Sequence, residues 1–400
     1  MAKQIAGPEA LAGVRVLDLT DELGAYAGRL LADLGAEVIR VEPPGGSSTR
    51  RMEPLVDVDG ESVSAFELFV NAGKRSVVVD TADAVGVHQL EELLSTADVV
   101  IESPVAVLAD AGLDAERVRA IKPDLCRVII TPYGLDHQPA WSHTDDLLLM
   151  AAGGLLHLGG YPDVGPVVAY GAQSHFAASI FGAVAAMSGL LQRELDGSGS
   201  TYDVSAQECI AQALEDSAAT YALTGRIRER QGDRPREAGS GVYPCRDGYV
   251  SVIAGRLGTA RAWSALVGWL NEEGAEGASE LLEPRWNTFE FRQSDPAIGA
   301  FGRIFSAFAA SREKVELYTE AQARKIALSP VNTVADILSN PQLRARDFFV
   351  DVQEREGVVA FPRAPYRMSG TPVRDPGPAP ELGADDADLL GRTFVPGGTA

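Results

Sequence analysis

Segments typical of buried β-strands alternate with helical segments through the first 130 residues, and this order constrains the fold more than any other feature. Runs of Val, Ile and Leu are bounded by Gly or Pro, and stretches with helical spacing, such as AYAGRLLADLGA, lie between them. Strands joined by single helices require right-handed crossovers, so the pattern predicts an α/β fold with a Rossmann-like parallel sheet. The predicted strands are Val14–Leu19, Glu37–Glu42, Ser76–Asp80, Asp98–Glu102 and Cys126–Ile130.

The pattern changes after this region. A long Ala/Gly-rich helix is predicted over Ser174–Leu195, and it is followed by a short strand, Thr201–Ser205. The polar and charged stretch Arg226–Glu237 is the best candidate for a linker. A length of 400 residues is typical of two or three domains, or of one large α/β unit with a satellite.

Composition excludes several classes of function. The formal net charge of −21 argues against a general nucleic-acid binder and against binding to an anionic membrane surface. The three cysteines, Cys126, Cys209 and Cys245, are too few and too scattered for a disulfide framework or a zinc site. The N-terminal residues lack the apolar segment of a secretion signal, and no stretch is apolar enough for a membrane span. We therefore expect a cytoplasmic protein.

The motifs of common nucleotide-binding folds are absent from the sequence. The turn after the first predicted strand reads TDELGAYAGR and contains no G-x-G-x-x-G, and the chain has neither a P-loop lysine motif nor HExxH. A Rossmann-like sheet without the phosphate fingerprint weakens NAD, FAD and ATP interpretations together. The fold alone does not select a function.

Eight phrases in order carry a resemblance to a known family. They are LAGVRVLDLT…LLADLGAEVIRVEPP, NAGKRSVVVD, ADVVIE, AGLDAERVRAIKPDL, DGSGSTYDVSAQE, VYPCRDGYV, SPVNTVADILSNPQLRARDFFV and PYRMSGTP. Together they resemble the family III CoA-transferases, the superfamily of formyl-CoA transferase, carnitine CoA-transferase and α-methylacyl-CoA racemase. One such phrase would be weak evidence, but eight at the expected spacing are specific.

The resemblance implies an interlocked homodimer that acts on acyl-CoA, with a carboxylic acid as a further substrate of the transferases. It implies a large Rossmann-like domain built from both chain ends and a smaller middle domain. The corresponding division is 1–225 and 331–400 for the large domain and 226–330 for the small domain with its linkers, consistent with the charged stretch that begins at Arg226. Coenzyme A is the only implied cofactor, and no metal is expected.

The position that decides the chemistry is His175. In the family's transferases, an aspartate at the start of the helix corresponding to Ser174–Leu195 attacks the acyl-CoA carbonyl and forms an anhydride, then a thioester. The alignment places His175 there, and an imidazole does not form that anhydride. The racemase branch moves an α-proton with a histidine and an aspartate, and its histidine corresponds to Asp145. We therefore predict that Asp145 and His175 form an acid/base pair for racemase-like chemistry on an acyl-CoA.

Alternatives stay open beside this hypothesis. The chain could be a CoA-transferase with a different nucleophile, or a non-catalytic subunit or scaffold of a homologous CoA-transferase. His175 could be a helix-N-terminal histidine that makes one hydrogen bond, and Asp145 could cap the helix that begins at Leu147. Asp146 aligns with the family's preserved aspartate and is predicted to fix that loop.

The resemblance also implies residues that contact CoA. Arg40, Lys74 and Arg75 match basic positions that hold the nucleotide in relatives, and charge-assisted hydrogen bonds suit phosphates. Their structural alternative is solvated strand ends. The family's Asn-Phe-Arg-Pro turn is replaced by Ser103-Pro104-Val105, which removes an anchor and predicts weak CoA binding or a reassigned site.

Two further CoA-site assignments concern loops. Tyr133 falls in a family segment that borders the CoA site, and its alternative is loop packing. Gly239 and Gly241 lie near the family's mobile glycine loop, which closes over the thioester and needs permissive backbone angles. Their alternative is a plain linker.

Overall fold

The computed structural model of the chain contains two compact units. The residues that it describes are 8–58, 60–103, 106–136, 144–255, 260–354 and 357–391. The large unit comprises Met1–Gly159, Pro166–Glu229 and Pro341–Ala400, and the small unit comprises Gly160–Gly165 and Arg230–Asn340. The division at 225/226 and 330/331 stays a prediction.

Strands and helices are numbered along the chain. The strands are β1 Arg15–Thr20, β2 Glu37–Glu42, β3 Leu55–Val58, β4 Glu61–Ser64, β5 Arg75–Val78, β6 Val99–Ser103, β7 Cys126–Thr131, β8 Thr201–Ser205, β9 Ser240–Cys245, β10 Gly248–Ile253, β11 Ala327–Val331, β12 Phe349–Glu354 and β13 Gly357–Pro362. The helices are α1 Ala25–Asp33, α2 Ala65–Val70, α3 Ala84–Thr96, α4 Ala106–Asp110, α5 Ala115–Ile121, α6 Asp146–Ala152, α7 Leu155–Leu158, α8 Gln173–Asp196, α9 Ala206–Gln212, α10 Ser217–Thr224, α11 Ala260–Glu272, α12 Phe289–Arg292, α13 Asp295–Ala309, α14 Lys314–Ala323, α15 Val334–Ser339, α16 Pro341–Ala345 and α17 Asp386–Leu389.

The main sheet of the large unit is parallel, with the order β5-β2-β1-β6-β7-β8. Its strands are rich in apolar residues because both faces of the sheet are covered, and the charged side chains Asp18, Arg40, Glu42 and Glu102 are buried within them. One core contains Leu31 of α1 and Ala178 of α8, and the core on the other face contains Leu90 and Leu94 of α3. The parallel sheet predicted from the sequence is confirmed, and the predicted strand Thr201–Ser205 is its sixth strand. The strand order reverses between β1 and β6.

Helix α8 packs tightly on β7 because glycines on that face allow close approach. A methyl group added at Gly189 would lie 2.1 Å from Cys126 Sγ, and one at Gly182 would lie 2.6 Å from Ile130 Cδ1. Within the described part of the chain, α8 is the one helix long and apolar enough to cross a membrane, with 44% of its most apolar window buried. Core helices of soluble proteins meet the same criterion, so it does not identify a span.

The small unit has its own sheet and core. Strands β9, β10 and β11 form an antiparallel sheet in the order β11-β10-β9. Helices α11 and α13 contribute aromatic side chains to the core, where the Trp263 and Trp286 rings stack at 5.8 Å between centroids. Phe301 and Phe305 stack in the same cluster. Burying several large rings together gives this unit a hydrophobic core independent of the parallel sheet.

Candidate functional site

The candidate site lies where the strand order of the parallel sheet reverses, between β1 and β6. In open α/β sheets, ligands bind in the crevice beyond the carboxyl ends of the strands at such a reversal. The loop Asp21–Gly24 leaves β1 at this edge, and the Asp21 backbone N–H donates to the Ser103 carbonyl at the end of β6, 2.9 Å away. Leu23 is tied to α8, because Ser179 Oγ donates to its carbonyl at 3.2 Å.

Asp146 anchors the start of α8 at the same site. Its Oδ1 accepts hydrogen bonds from Ser174 N and Ser174 Oγ, both at 2.7 Å. The first backbone N–H groups of a helix have no partner within the helix and carry a partial positive charge, so a carboxylate here stabilises the helix start. Asp146 therefore fixes the residue that precedes His175, in agreement with its predicted role in holding the loop.

His175 is buried and incompletely satisfied. The residue is 8% exposed, and its Nδ1 has no hydrogen-bond partner among the described residues. Burial is the largest influence on the pKa of His175 and lowers it below the ordinary value of histidine. Nearby carboxylates raise the same pKa by smaller amounts, in the decreasing order Asp146, Glu22, Asp145. The neutral imidazole is therefore favoured at pH 7.

Asp145 has a structural role in this arrangement. It is exposed and is the N-cap residue of α6, where its Oδ1 accepts a hydrogen bond from the Leu148 N–H at 2.9 Å. Its influence on His175 is weaker than that of Asp146 or Glu22. The capping alternative for Asp145 is thus realised, and its pairing with His175 as acid and base stays a prediction.

The structure places Arg40 and Lys74 inside the large unit rather than at a free surface. Arg40 is 1% exposed and its Nη1 donates to Glu67 Oε1 at 2.5 Å. Lys74 Nζ donates to Asp18 Oδ2, the Ala25 carbonyl and Asn71 Oδ1 at 2.6, 2.7 and 2.7 Å. When a buried carboxylate pairs with a cation, its negative charge offsets the attraction of that cation for a phosphate. The assignment of both residues to CoA stays a prediction.

Arg75 and Tyr133 lie nearer the surface. The Arg75 guanidinium is shared by three carboxylates: its Nε and Nη1 donate to Asp385 and Glu37 at 2.8 Å each, and its Nη2 donates to Asp388. These carboxylates raise the pKa of Arg75 above its ordinary value. Tyr133 packs beside the core of the large unit, and its hydroxyl donates to Thr144 Oγ1 at 3.3 Å. The CoA contacts of Arg75 and Tyr133 stay predictions.

The altered turn at residues 103–105 lies only partly within the described residues. Ser103 ends β6, whereas Pro104 and Val105 lie outside the described residues. Ser103 is fully buried, and its Oγ lacks a hydrogen-bond partner in the described part of the chain.

Gly239 and Gly241 belong to the small unit, at the start of β9. Gly239 has a φ of 87°, which side chains disfavour, and a methyl group added there would lie 2.9 Å from the Trp263 ring. It would also lie 3.0 Å from the Gly255 backbone nitrogen. Glycine is therefore favoured at position 239 on structural grounds, whether or not the loop closes over a thioester. The role of both glycines in CoA binding stays a prediction.

Gly239→Ala should lower the free energy of unfolding by about 1–3 kcal/mol, because it combines backbone strain with a clash against Trp263. Urea denaturation followed by tryptophan fluorescence measures this. Gly268→Ala is the matched control, since Gly268 lies within α11 with a helical φ and no atom within 4 Å of an added methyl group. The control should be neutral or slightly stabilising. Equal effects of the two substitutions would contradict the conclusion that backbone strain and the contact with Trp263 favour glycine at position 239.

The sequence analysis did not single out Glu22, and it named Ser103 only as part of the altered turn; the structure brings both residues to the site. The strand order of the sheet, which is a feature of the tertiary structure, is what points to the loops after β1 and β6 as candidate ligand-binding loops. The sequence analysis also did not predict a cavity of ≈ 740 Å³ in the large unit. The arginines that line this cavity are Arg346, Arg363, Arg367 and Arg374.

Ion pairs satisfy most of the charge in this cavity. Arg363 donates to both oxygens of Asp375 at 2.5 and 2.8 Å, whereas the Arg346 guanidinium has no ion-pair partner among the described residues. Within the same residues, no group of His, Cys, Asp and Glu side chains is arranged to hold a metal ion.

The fold and the site together define an α/β protein with a Rossmann-like parallel sheet and a polar site at the reversal of its strand order. The model of CoA-transferase family III matches residues 11–386. The chain belongs to this family, and it is an enzyme of the class that handles CoA thioesters.

Full-length relatives support the same membership. The chain is 33% identical over 381 residues to succinyl-CoA:(R)-benzylsuccinate CoA-transferase subunit BbsE of Thauera aromatica, a match that covers 94% of this chain and 92% of that protein. It is 31% identical over 388 residues to succinate–glutarate CoA-transferase of Agrobacterium fabrum, covering 95% and 94%. The crystal structure of a CAIB/BAIF family protein from Brucella suis superposes with a TM-score of 0.84 at 28% identity, covering 96% of this chain and 99% of that one.

Proposed function

We propose that the chain is a CoA-transferase that moves CoA from succinyl-CoA to another carboxylic acid. The observation that carries this proposal is the match, over at least 94% of this chain, to two relatives named for CoA transfer involving succinyl-CoA or succinate. These names favour the transferase alternative over the racemase-like hypothesis. The nucleophile must then differ from the family's aspartate, because position 175 is a histidine.

The residues at the strand-order reversal can support such a reaction. Asp146 holds the start of α8 and so fixes the position of His175. Burial favours the neutral imidazole of His175. Its ring N–H can donate a hydrogen bond to the oxygen of an acyl group while the ring stays neutral. In this role His175 positions and polarises the thioester, and another group forms the covalent bond.

A second candidate function is α-proton transfer on the thioester. It is favoured by the Nδ1 of a neutral His175, which has no hydrogen-bond partner among the described residues and lies within the electrostatic influence of Asp146, Glu22 and Asp145. Transfer and proton exchange leave different products, so one assay in D₂O separates them.

The purified protein should convert succinyl-CoA and glutarate, or succinyl-CoA and benzylsuccinate, into the corresponding new acyl-CoA. Liquid chromatography with mass spectrometry measures the product, and no deuterium is expected at its α-carbon. If deuterium appears without CoA transfer, and is lost in His175→Ala, the racemase-like function is correct instead. If neither reaction occurs, the non-catalytic alternative gains support and the transferase proposal is contradicted for the protein alone.

We further propose that the chain functions as the interlocked homodimer implied by its family. Large apolar side chains that remain exposed on one chain support association, and α8 and α10 carry several of them. They are Ile180, Phe181, Val184, Met187, Leu191, Leu195, Tyr221 and Leu223. The relative from Thauera aromatica is named as a subunit, so the same assay repeated with a homologous partner chain tests a heteromeric assembly.

A further inference from the structure

We infer that the Glu22 carboxylate is the nucleophile that forms the covalent intermediates of CoA transfer. This inference rests on the proposed function and deepens it by naming the residue that replaces the aspartate absent from position 175. Four steps support it: the location of the loop, the unsatisfied polar atoms around it, the duties of the other carboxylates, and the chemistry of a free carboxylate oxygen.

The first step is location. Glu22 lies in the loop that leaves β1 at the reversal of the strand order, where a ligand is expected. Contacts on both sides of Glu22 hold this loop: the Asp21 N–H donates to the Ser103 carbonyl, and the Leu23 carbonyl accepts from Ser179 Oγ. Ser179 lies one helical turn after His175, on the same face of α8. The loop therefore brings Glu22 to the start of α8.

The second step concerns polar atoms without partners. His175 is 8% exposed and Ser103 is fully buried, yet His175 Nδ1 and Ser103 Oγ make no hydrogen bond to any described residue. Buried polar atoms are almost always paired in folded proteins, so two such atoms on either side of one loop indicate a ligand that supplies their partners. The carbonyl oxygen and the carboxylate of an acyl-CoA are groups of that kind.

The third step compares the nearby carboxylates. Asp21 Oδ1 accepts from the Ser48 N–H at 3.0 Å and competes with Glu22 for the single proton of Ser48 Oγ, Asp145 caps α6, and Asp146 holds the start of α8. Each of these groups maintains local structure. Glu22 accepts one hydrogen bond, from Ser48 Oγ to its Oε2, and its Oε1 has no hydrogen-bond partner among the described residues. Glu22 is half-buried and is thus held in place with one oxygen free.

The fourth step is the chemistry. Glu22 Oε1 attacks the acyl carbonyl carbon of succinyl-CoA; the new C–O bond replaces the C–S bond, CoA leaves as the thiolate, and a mixed anhydride remains. The thiolate attacks the side-chain carbonyl carbon of Glu22, which releases succinate and leaves a Glu22–CoA thioester. The acceptor carboxylate then reverses these two steps, forms its own CoA thioester and regenerates Glu22. No net proton, electron or water is consumed.

The test is to trap the first half-reaction. The protein is incubated with succinyl-CoA without acceptor and treated with sodium borohydride, which reduces a thioester to a primary alcohol, and the modified residue is located by peptide mass spectrometry. We expect reduction at Glu22 that depends on succinyl-CoA. Modification of another carboxylate, or of none, overturns the inference.

Glu22→Gln provides the second measurement. It preserves the shape of the side chain, removes the nucleophile, and should reduce CoA transfer by roughly 10³-fold or more. The matched control is Glu92→Gln, the same change at an exposed position on α3, which should leave the rate unchanged. Circular dichroism and thermal denaturation establish that both variants are folded. A Glu22→Gln variant with undiminished transfer overturns the inference.

The two proposals fail in different ways. Trapping at Glu22 without transfer to any acceptor carboxylate would retain the nucleophile and contradict the proposed transferase function. Transfer without trapping at Glu22 would retain the proposed transferase function and contradict the assignment of Glu22 as the nucleophile. His175→Ala should slow transfer but leave the modified residue unchanged, because His175 is assigned a positioning role and forms no bond to the acyl group.

Discussion

Lys74→Met should lower the free energy of unfolding by about 3–5 kcal/mol, because it leaves Asp18 as a buried charge without a counter-ion. Asp18 is fully buried, and its Oδ2 lies 2.6 Å from Lys74 Nζ. Gly28 of α1 faces this pair so closely that a methyl group there would lie 2.3 Å from the same oxygen. Water therefore has little access to the Asp18 carboxylate and cannot stabilise its charge once the ammonium group is removed. Urea denaturation of the two proteins measures the difference.

The control is the double variant Lys74→Met with Asp18→Asn. Removing both charges should recover at least about 2 kcal/mol of the loss, since an uncompensated buried charge costs more than a neutral pair. CoA binding by calorimetry addresses the alternative role of Lys74. All three ammonium protons already have acceptors inside the large unit, so CoA affinity per folded molecule should not change. If the Lys74→Met variant lost CoA affinity without losing stability, the predicted contact between Lys74 and a CoA phosphate would be supported instead.

The strands of the parallel sheet and the long helix could be predicted from the sequence because they depend on local pattern. Apolar runs bounded by Gly and Pro identified the strands of the parallel sheet, and helical spacing predicted α8 to within one residue at each end. A parallel sheet that is covered on both faces requires apolar runs in its strands. These runs can therefore be recognised in the sequence itself.

The partners of the charged residues could not be predicted in this way. Lys74 and Asp18 are 56 positions apart, and they meet only because β1 and β5 lie in one sheet beneath α1. The same holds for Glu22, whose importance depends on the reversal of the strand order beside β1. A basic residue at a strand end reads the same in the sequence whether it faces a phosphate or a buried carboxylate, and only the tertiary structure distinguishes the two.

Asp33 provides a pH-dependent test of the same principle. The Asp33 carboxylate is 5% exposed, and its Oδ1 accepts a hydrogen bond from Arg29 Nε at 2.9 Å. Burial raises the pKa of Asp33 to about 6, although the Arg29 charge opposes this. The folded protein therefore holds a proton between pH 4 and pH 6 that the unfolded chain releases. The stability contributed by this proton is fully present below the unfolded pKa and is lost as pH rises through the folded pKa.

The free energy of unfolding of the natural protein, relative to that of Asp33→Asn, should thus fall by about 2 kcal/mol between pH 4 and pH 7. The comparison cancels other titrating groups, including Glu42, whose pKa Arg50 and Arg40 lower to about 2 and whose contribution therefore has the opposite sign. Asparagine keeps an oxygen for Arg29 and cannot ionise, which makes it the matched variant. Urea denaturation at half-unit intervals of pH measures both curves. Parallel curves would mean that Asp33 titrates in the folded protein as it does in the unfolded chain, and that Arg29 compensates its burial completely.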